Sequence, residues 1–379
     1  MMRLSKKAVL PAGFKANALF CGIKRSGKPD LALFYSELPA KAACMFTTNS
    51  IIAAPIKVNK EHLRKVKSFR AIVANSGNAN CFTGNAGMLD ASATAKKAAL
   101  VLKVREEQVL LASTGIILRR LPVDKIKKAL PELAAGLSKS GISKAAKAIL
   151  TTDLVTKEAS ASFKIGARTV NICGVAKGSG MIAPNMATML AFIFTDANIS
   201  QGALKRALRE SVESSFNCIT IDGCMSTNDS VMLLANGAAG NPLIDSGAGL
   251  KQFSQALRSV CFELAKMLVR DGEGATKFIR IEVDKAKSVA EARKVALQIA
   301  NSDLFKTAMY GENPNFGRIA GAVGASRVGV KEKDLKIKVG SLKKKNIDVN
   351  VSIGRGSSSA VVYTTDLTNE YIKINAEYN

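Results

Sequence analysis

The sequence predicts a fold in which α and β elements are interleaved along the whole chain, without the regular βαβ repeat of a doubly wound sheet. Three observations carry that reading. Short apolar runs of strand length alternate with longer segments of helical period. Several runs end in loops that expose hydroxyls, amides or glycine backbone. The composition, 47% hydrophobic and 22% charged over 379 residues, is that of an ordinary globular protein with length for two domains, or one large domain with an appendage.

The elements follow in order. Short β-rich pieces occupy about 16–47. Arg70–Gly84, "RAIVANSGNANCFTG", reads as a strand followed by a Gly/Asn-rich loop, and Asp90–Lys103 has a helical apolar period. Gln108–Gly115 is a strand ending in a loop. Pro122–Leu133 and Lys144–Leu150 read as helices, and Ser162–Ala176 as a hairpin turning near Gly166. Met189–Phe194 is apolar throughout, as a buried strand requires. A helix over Gln201–Ser215, a strand over Ser230–Ala235 and a long helix over Gly249–Leu268 come next. Ser288–Ala300 is helical, and the tail from Lys336 to Tyr378 reads mostly as strands.

Composition narrows the function. No run of eighteen apolar residues exists to span a membrane, and the apolar part of "MMRLSKKAVL" is too short for a secretory signal. The seven cysteines are scattered singly without a CxxC, which suits a reducing cytoplasm better than disulfides or zinc. The formal charge of +25 is spread along the chain, and there is no Trp and little Tyr to stack bases. No nucleic-acid or membrane partner is therefore expected; a solvated basic surface, or attraction of acidic small molecules into a cleft, accounts for the charge. The single histidine, His62, sits in a polar stretch, "KVNKEHLRKVKS", that looks like an exposed helix. Histidine metal sites are thereby excluded, and acyl-transfer chemistry in this chain would need a different base.

Six loops share a polar character: Asn75–Asn80, Ser113–Gly115, Thr151–Asp153, Lys177–Thr188, Ser226–Asp229 and Asp271–Lys277. Any one of them is an ordinary turn; six suggest a shared polar site. "NSGNAN" has neither Walker nor GxGxxG spacing, so it is a weak signal for nucleotide phosphates. The segment "GSGMIAPNMATML" (Gly178–Leu190) is too apolar for a surface loop and too broken by Gly and Pro for a helix. It delivers Thr188 to the mouth of a buried strand, a common place to mount a catalytic group.

"KGSGMIAPNMATMLAFIFTDA" closely resembles the signature of the ornithine acetyltransferases of arginine biosynthesis, the glutamate N-acetyltransferase family. The resemblance extends in order through "RAIVANSGNAN", "LASTGII", "TTD", "STND", "RDGEGATK", "IANSDLFKTAMYGENPNFGRI", "IGRGSSSA" and "DLTNEYIKINAEY", nearly the whole chain. It implies an α+β, N-terminal-nucleophile-like layered sandwich of sheets covered by helices, with a smaller C-terminal α/β domain. It implies self-cleavage between Ala187 and Thr188. The products are an α chain, 1–187, and a β chain, 188–379, in which 188–280 completes the nucleophile domain and about 281–379 forms the smaller one. The two chains stay together, as α2β2. The implied reaction moves acetyl from N2-acetylornithine to glutamate by a ping-pong route through acetyl-Thr188. It needs no cofactor and no metal; some members also take acetyl-CoA as donor.

The site residues carried over by motif are Thr188 as nucleophile, Thr114 and Gly115 as oxyanion hole, and Lys177, Glu273, Asn375 and one of Thr151 or Thr152, together with Thr188, as substrate contacts. The chemistry is coherent. A threonine hydroxyl needs a neighbouring base, and an α-amine released at Thr188, with an ordinary pKa of about 7.7–8.0, is one that requires no histidine. Two departures from the family stand out: Leu118 occupies a position where the family has a further Gly, and the Ser or Thr that follows Asn-x-x-Tyr-x in the family is absent from the sequence, whose last residue is Asn379. The alternatives are a related self-processing aminopeptidase or amidase, and a basic nucleic-acid-binding protein in which the loops are structural.

Overall fold

The computed structural model describes residues 2–183 and 189–377. Ala187 and Thr188, the expected cleavage site, lie outside the described residues. The chain divides into two compact units, one of Met1–Gly178, Asn185–Ser215 and Met225–Leu264, the other of Ser179–Pro184, Phe216–Cys224 and Ala265–Asn379.

In the first unit the elements are β1 (Arg3–Ser5), β2 (Phe14–Leu19), β3 (Leu31–Phe46), α1 (Ala54–Lys65), β4 (Phe69–Asn78), α2 (Gly84–Leu102), β5 (Val109–Ile116), α3 (Val123–Ala135), α4 (Ile142–Ala148), β6 (Lys157–Ile165), β7 (Arg168–Lys177), β8 (Leu190–Thr195), α5 (Gln201–Glu213) and β9 (Ser230–Ala235). The helix α6 (Gly247–Arg270) leads out of it. The strands pair in the order β1-β6-β7-β8-β9-β3-β4-β5, with β2 on β3. The long strand β3 does two jobs. Its first half, Leu31–Tyr35, pairs with β4, and its second half, Lys41–Phe46, pairs with β9 across a register shift. A bulge of this kind bends a strand and lets one sheet fold over another.

The two halves meet face to face through alternate side chains. Phe14 and Phe34 from β2 and β3 pack on Phe192 and Phe194 of β8, with ring centroids 5.1–5.2 Å apart. The same core takes in Ile72, Leu110, Val175, Met232 and the apolar face of α4. On the outer face of one half, Leu31, Leu33, Val73 and Leu111 are covered by α1, α2 and α3. On the other, Gly174 of β7 lies against Val260 and Leu264 of α6, and α5 packs on β3. The result is helix, sheet, sheet, helix: the layered α+β sandwich that the resemblance implied, with the all-buried strand β8 inside it.

The second unit is built on β10 (Phe278–Ala286), α7 (Val289–Ala300), α8 (Asp303–Tyr310), α9 (Phe316–Ala325), β11 (Lys336–Val339), β12 (Asn346–Ser352), β13 (Ser358–Thr365) and α10 (Asn369–Ala376). Its sheet runs β11-β12-β10-β13, and α7, α8 and α9 bury the Ile and Val of β10 and β12.

Most predicted elements are present, and three readings need correction. The strand β4 runs on through Asn75–Asn78, into what reads as loop, because Gly77 pairs with Gly115 of β5. The tail is not strands to its end: α10 follows Thr368, whose hydroxyl caps it on Tyr371 N–H. His62 is buried, not exposed. Its Nδ1 donates to Val109 O at 2.8 Å, and Asn59, one turn earlier, exchanges two 2.7 Å bonds with Leu111. These polar side chains cover the free edge of β5, the last strand of its sheet.

Candidate active site

In the first unit the ends of β5 and β7 and the turn after α4 meet. Lys177, the last residue of β7, is buried. Its ammonium donates to Thr151 Oγ1 at 2.8 Å and Thr114 Oγ1 at 3.3 Å, and lies 3.9 Å from Asp153 Oδ2. Three of the predicted residues, Lys177, Thr114 and Thr151, are thus in direct contact. Thr152 follows Thr151 in the same turn.

The contact has a chemical consequence. An ammonium only donates, so Thr114 Oγ1 and Thr151 Oγ1 act as acceptors toward Lys177, and each hydroxyl proton must point elsewhere. For Thr114 that leaves an O–H beside the Gly115 N–H, two donors on consecutive residues. The arrangement needs glycine at 115. Its φ is +129°, and a Cβ there would come within 2.4 Å of the Gly77 carbonyl carbon on the paired strand.

Asp153 organises the cluster. With its side chain wholly buried, it accepts from Lys157 Nζ at 2.5 Å, from Gly178 N–H at 2.6 Å and from Thr151 N–H at 3.0 Å. Burial alone would raise its carboxyl pKa; the ammoniums of Lys177 and Lys157 and the hydrogen bonds outweigh it and hold the carboxyl down at about 2. Lys24 is a third lysine near this centre. Burial brings it down to about 8 against the pull of Asp30, and Lys177 pushes the same way as burial. Neither Asp153 nor Lys24 was singled out as a site residue from the sequence. The "TTD" run was a usable signal for Asp153; Lys24 offers none.

The "STND" loop is the other contributor the sequence understated. Asn228 Nδ2 donates to Ser113 O at 2.8 Å and Ala79 O at 2.6 Å, fixing the backbone just before Thr114, and Asp229 Oδ1 accepts from Met189 N–H at 2.9 Å. The "NSGNAN" amides serve structure: Asn75 bonds Asn78 O and Ser113 Oγ, Asn78 bonds the carbonyls of Arg119 and Arg120, and Asn80 bonds Gly87 O.

In the second unit, Glu273 and Asn375 are together. Asn375 Nδ2 donates to Glu273 Oε2 at 2.9 Å, and Glu273 N–H to Ser179 O at 2.7 Å. The Glu273 carboxylate lies on Gly180, where a Cβ would come within 2.2 Å of it. Asp222 holds the segment that runs toward the expected cleavage site. Its carboxylate accepts from Met181 N–H at 2.5 Å, Ile182 N–H at 2.9 Å and the Tyr371 hydroxyl at 3.1 Å. Among the described residues no cluster of His, Cys, Asp and Glu is placed to hold a metal.

A layered α+β sandwich with a lysine-oriented hydroxyl and a glycine N–H at the ends of its strands has the makings of an acyl-transfer enzyme. Comparison with known proteins gives the family. The family model that matches over residues 15–379 is the ArgJ family. Among curated relatives, the arginine biosynthesis bifunctional protein ArgJ of Geobacter sulfurreducens is 42% identical over 388 residues, covering 97% of this chain and 98% of the relative. That of Caldanaerobacter subterraneus is 44% identical over 400 residues, covering 99% of each. A solved ornithine acetyltransferase from Mycobacterium tuberculosis, in complex with ornithine, is 37% identical, covers 48% of this chain and 98% of its own, and has a TM-score of 0.46. The chain belongs to the ArgJ family.

Proposed function

We propose that this chain is a self-cleaving acetyltransferase of arginine biosynthesis that carries acetyl from N2-acetylornithine to glutamate. Its membership of a family whose relatives are bifunctional arginine-biosynthesis proteins supports the reading. So does one observation of the site: Lys177 on Thr114 Oγ1, which turns that hydroxyl proton outward beside Gly115.

In this reading Thr188 Oγ attacks the acetyl carbonyl, and its proton goes to its own α-amine, free once the chain is cut before it. The oxyanion is held by Thr114 O–H and Gly115 N–H, donors that matter most in the transition state. The C–N bond breaks, the proton passes to the departing ornithine nitrogen, and an acetyl-Thr188 ester remains. The amine of glutamate then attacks that ester, releasing N-acetylglutamate and returning the hydroxyl. Lys177, Thr151 and the Glu273–Asn375 pair recognise the amino-acid ends of the substrates. The bifunctional names of the relatives support acetyl-CoA as a second donor. Cleavage would divide the chain into 1–187 and 188–379, which we take to remain together as α2β2 in the cytoplasm.

The test is Thr188→Ala. The purified variant should run as one full-length chain on a denaturing gel and transfer no acetyl, while wild type gives two chains. A variant that still splits at 187/188 would mean that another protease makes the cut.

A further inference from the structure

Asp229 is a buried carboxylic acid that the acetyl-transfer mechanism does not use. It stands immediately before β9, whose first residue, Ser230, pairs with Leu190 of β8. Three bonds fix its neighbourhood: Met189 N–H donates to Asp229 Oδ1 at 2.9 Å, Ser230 N–H to Met189 O at 3.1 Å, and Thr47 N–H to Asp229 O at 3.0 Å. Both polar backbone atoms of Met189 are therefore held. Asp229 Oδ2, in contrast, is buried with no hydrogen-bond partner among the described residues. A buried carboxyl oxygen left in that condition is costly unless it is protonated or has work to do.

The surroundings favour the acid form. Burial pushes the Asp229 carboxyl well above the usual carboxylate range, opposed by the Met189 N–H, by Lys177 and by the side chains of Ser226 and Thr47. Lys177, at the end of β7, is the charged side chain that acts on it; the hydroxyls of Thr47, after β3, and Ser226, in its own loop, also favour the carboxylate, and burial outweighs all of them. The peptide whose N–H Asp229 holds is the one that joins residue 188 to Met189. Only the Cα and carbonyl carbon of residue 188 separate that nitrogen from the nitrogen of Thr188.

We propose that Asp229 is the proton-transfer group of self-cleavage, working on Thr188 from its hold on the adjoining peptide. The proposal rests on the reading of Thr188 as the cleaving nucleophile. The Oγ of Thr188 bonds to the Ala187 carbonyl carbon, and the C–N bond to Thr188 breaks. The departing nitrogen takes the proton of the Asp229 carboxyl, and the hydroxyl proton of Thr188 passes to the carboxylate so formed, so that Asp229 ends as it began. Water then hydrolyses the ester, leaving the Ala187 carboxylate and Thr188 as a new N-terminus.

The experiment follows the freshly translated chain by intact mass over time and across pH, in wild type, Thr188→Ala, Asp229→Asn and Asp229→Glu. Asn can still accept from Met189 N–H but cannot exchange the proton. Asp229→Asn should therefore melt like wild type and cleave at least about 100-fold more slowly, the lower end of what a positioned acid or base contributes. Hydroxylamine, which splits esters, should not cut it at 187/188, and Asp229→Glu should recover part of the rate. Wild-type cleavage should slow as pH rises through the carboxyl's raised pKa, because the acid form is lost, and Asp229→Asn should lack that fall. Cleavage of Asp229→Asn at the wild-type rate, or a fall at high pH that persists without the carboxyl, overturns the proposal. Should Asp229→Asn not fold, a wild-type rate that does not fall at high pH overturns it alone. Splitting of Thr188→Ala would instead remove Thr188 as the nucleophile, a failure distinct from either.

Discussion

At the scale of the residue, the site depends on a lysine that sets the direction of hydroxyl protons. Lys177 donates to Thr114 and Thr151, so Thr114 is oriented to donate to a developing oxyanion. Thr114→Ala should lower kcat by roughly 10²–10³-fold with a smaller change in KM, measured in steady-state acetyl transfer; an unchanged kcat would take Thr114 out of the hole. Asp153 sets Lys177 in turn. Its folded pKa, about 2, lies below the ordinary carboxylate value of about 3.9, so its contribution to stability is complete above about pH 5 and is lost as pH falls toward 2. Asp153→Asn takes the carboxylate from beside two buried ammoniums, which should cost about 3–5 kcal/mol in urea unfolding at neutral pH. If stability at pH 7 is unchanged by the substitution, Asp153 is not what holds the two lysines.

At the scale of the element, what the sequence disguised was polarity put to structural use. Asn59 and His62 read as the wet side of a helix, yet they satisfy the open edge of β5. Periodicity cannot tell a polar stripe that faces water from one that faces a strand's unpaired peptide groups. The glycine expected by resemblance where the chain has Leu118 is explained by the backbone. Leu118 has φ +66°, the left-handed region, and its side chain is largely exposed. Such a conformation costs a non-glycine residue about 1–2 kcal/mol, against about 0.5–1 kcal/mol for the greater freedom that glycine loses on folding. Leu118→Gly should then raise stability by up to about 1 kcal/mol in urea unfolding without lowering kcat. A loss of stability would show that the Leu118 side chain contributes more than its exposure suggests.

At the scale of the whole molecule, the interleaved fold was legible because each layer of the sandwich has its own pattern. The all-apolar run Met189–Phe194 reads as a strand buried on both faces, and the period of Gly249–Leu268 as a long helix. The motifs brought Thr114, Lys177 and one of Thr151 or Thr152 forward, and Lys177 does bond Thr114 and Thr151. Less visible was whatever depends on contacts between distant segments: Asp229 reaching back to Met189, Asn228 to Ser113, and the half-buried Lys24 beside the lysine centre. A single sequence carries no record of such pairings. The central claim is that Thr188 carries the acetyl group between the two substrates. The most direct measurement is the intact mass of the protein after incubation with N2-acetylornithine and no glutamate. The chain beginning at Thr188 should gain one acetyl group, located on that residue by fragmentation, and lose it when glutamate is added. An acetyl group on any other residue, or none at all while transfer proceeds, would contradict the account.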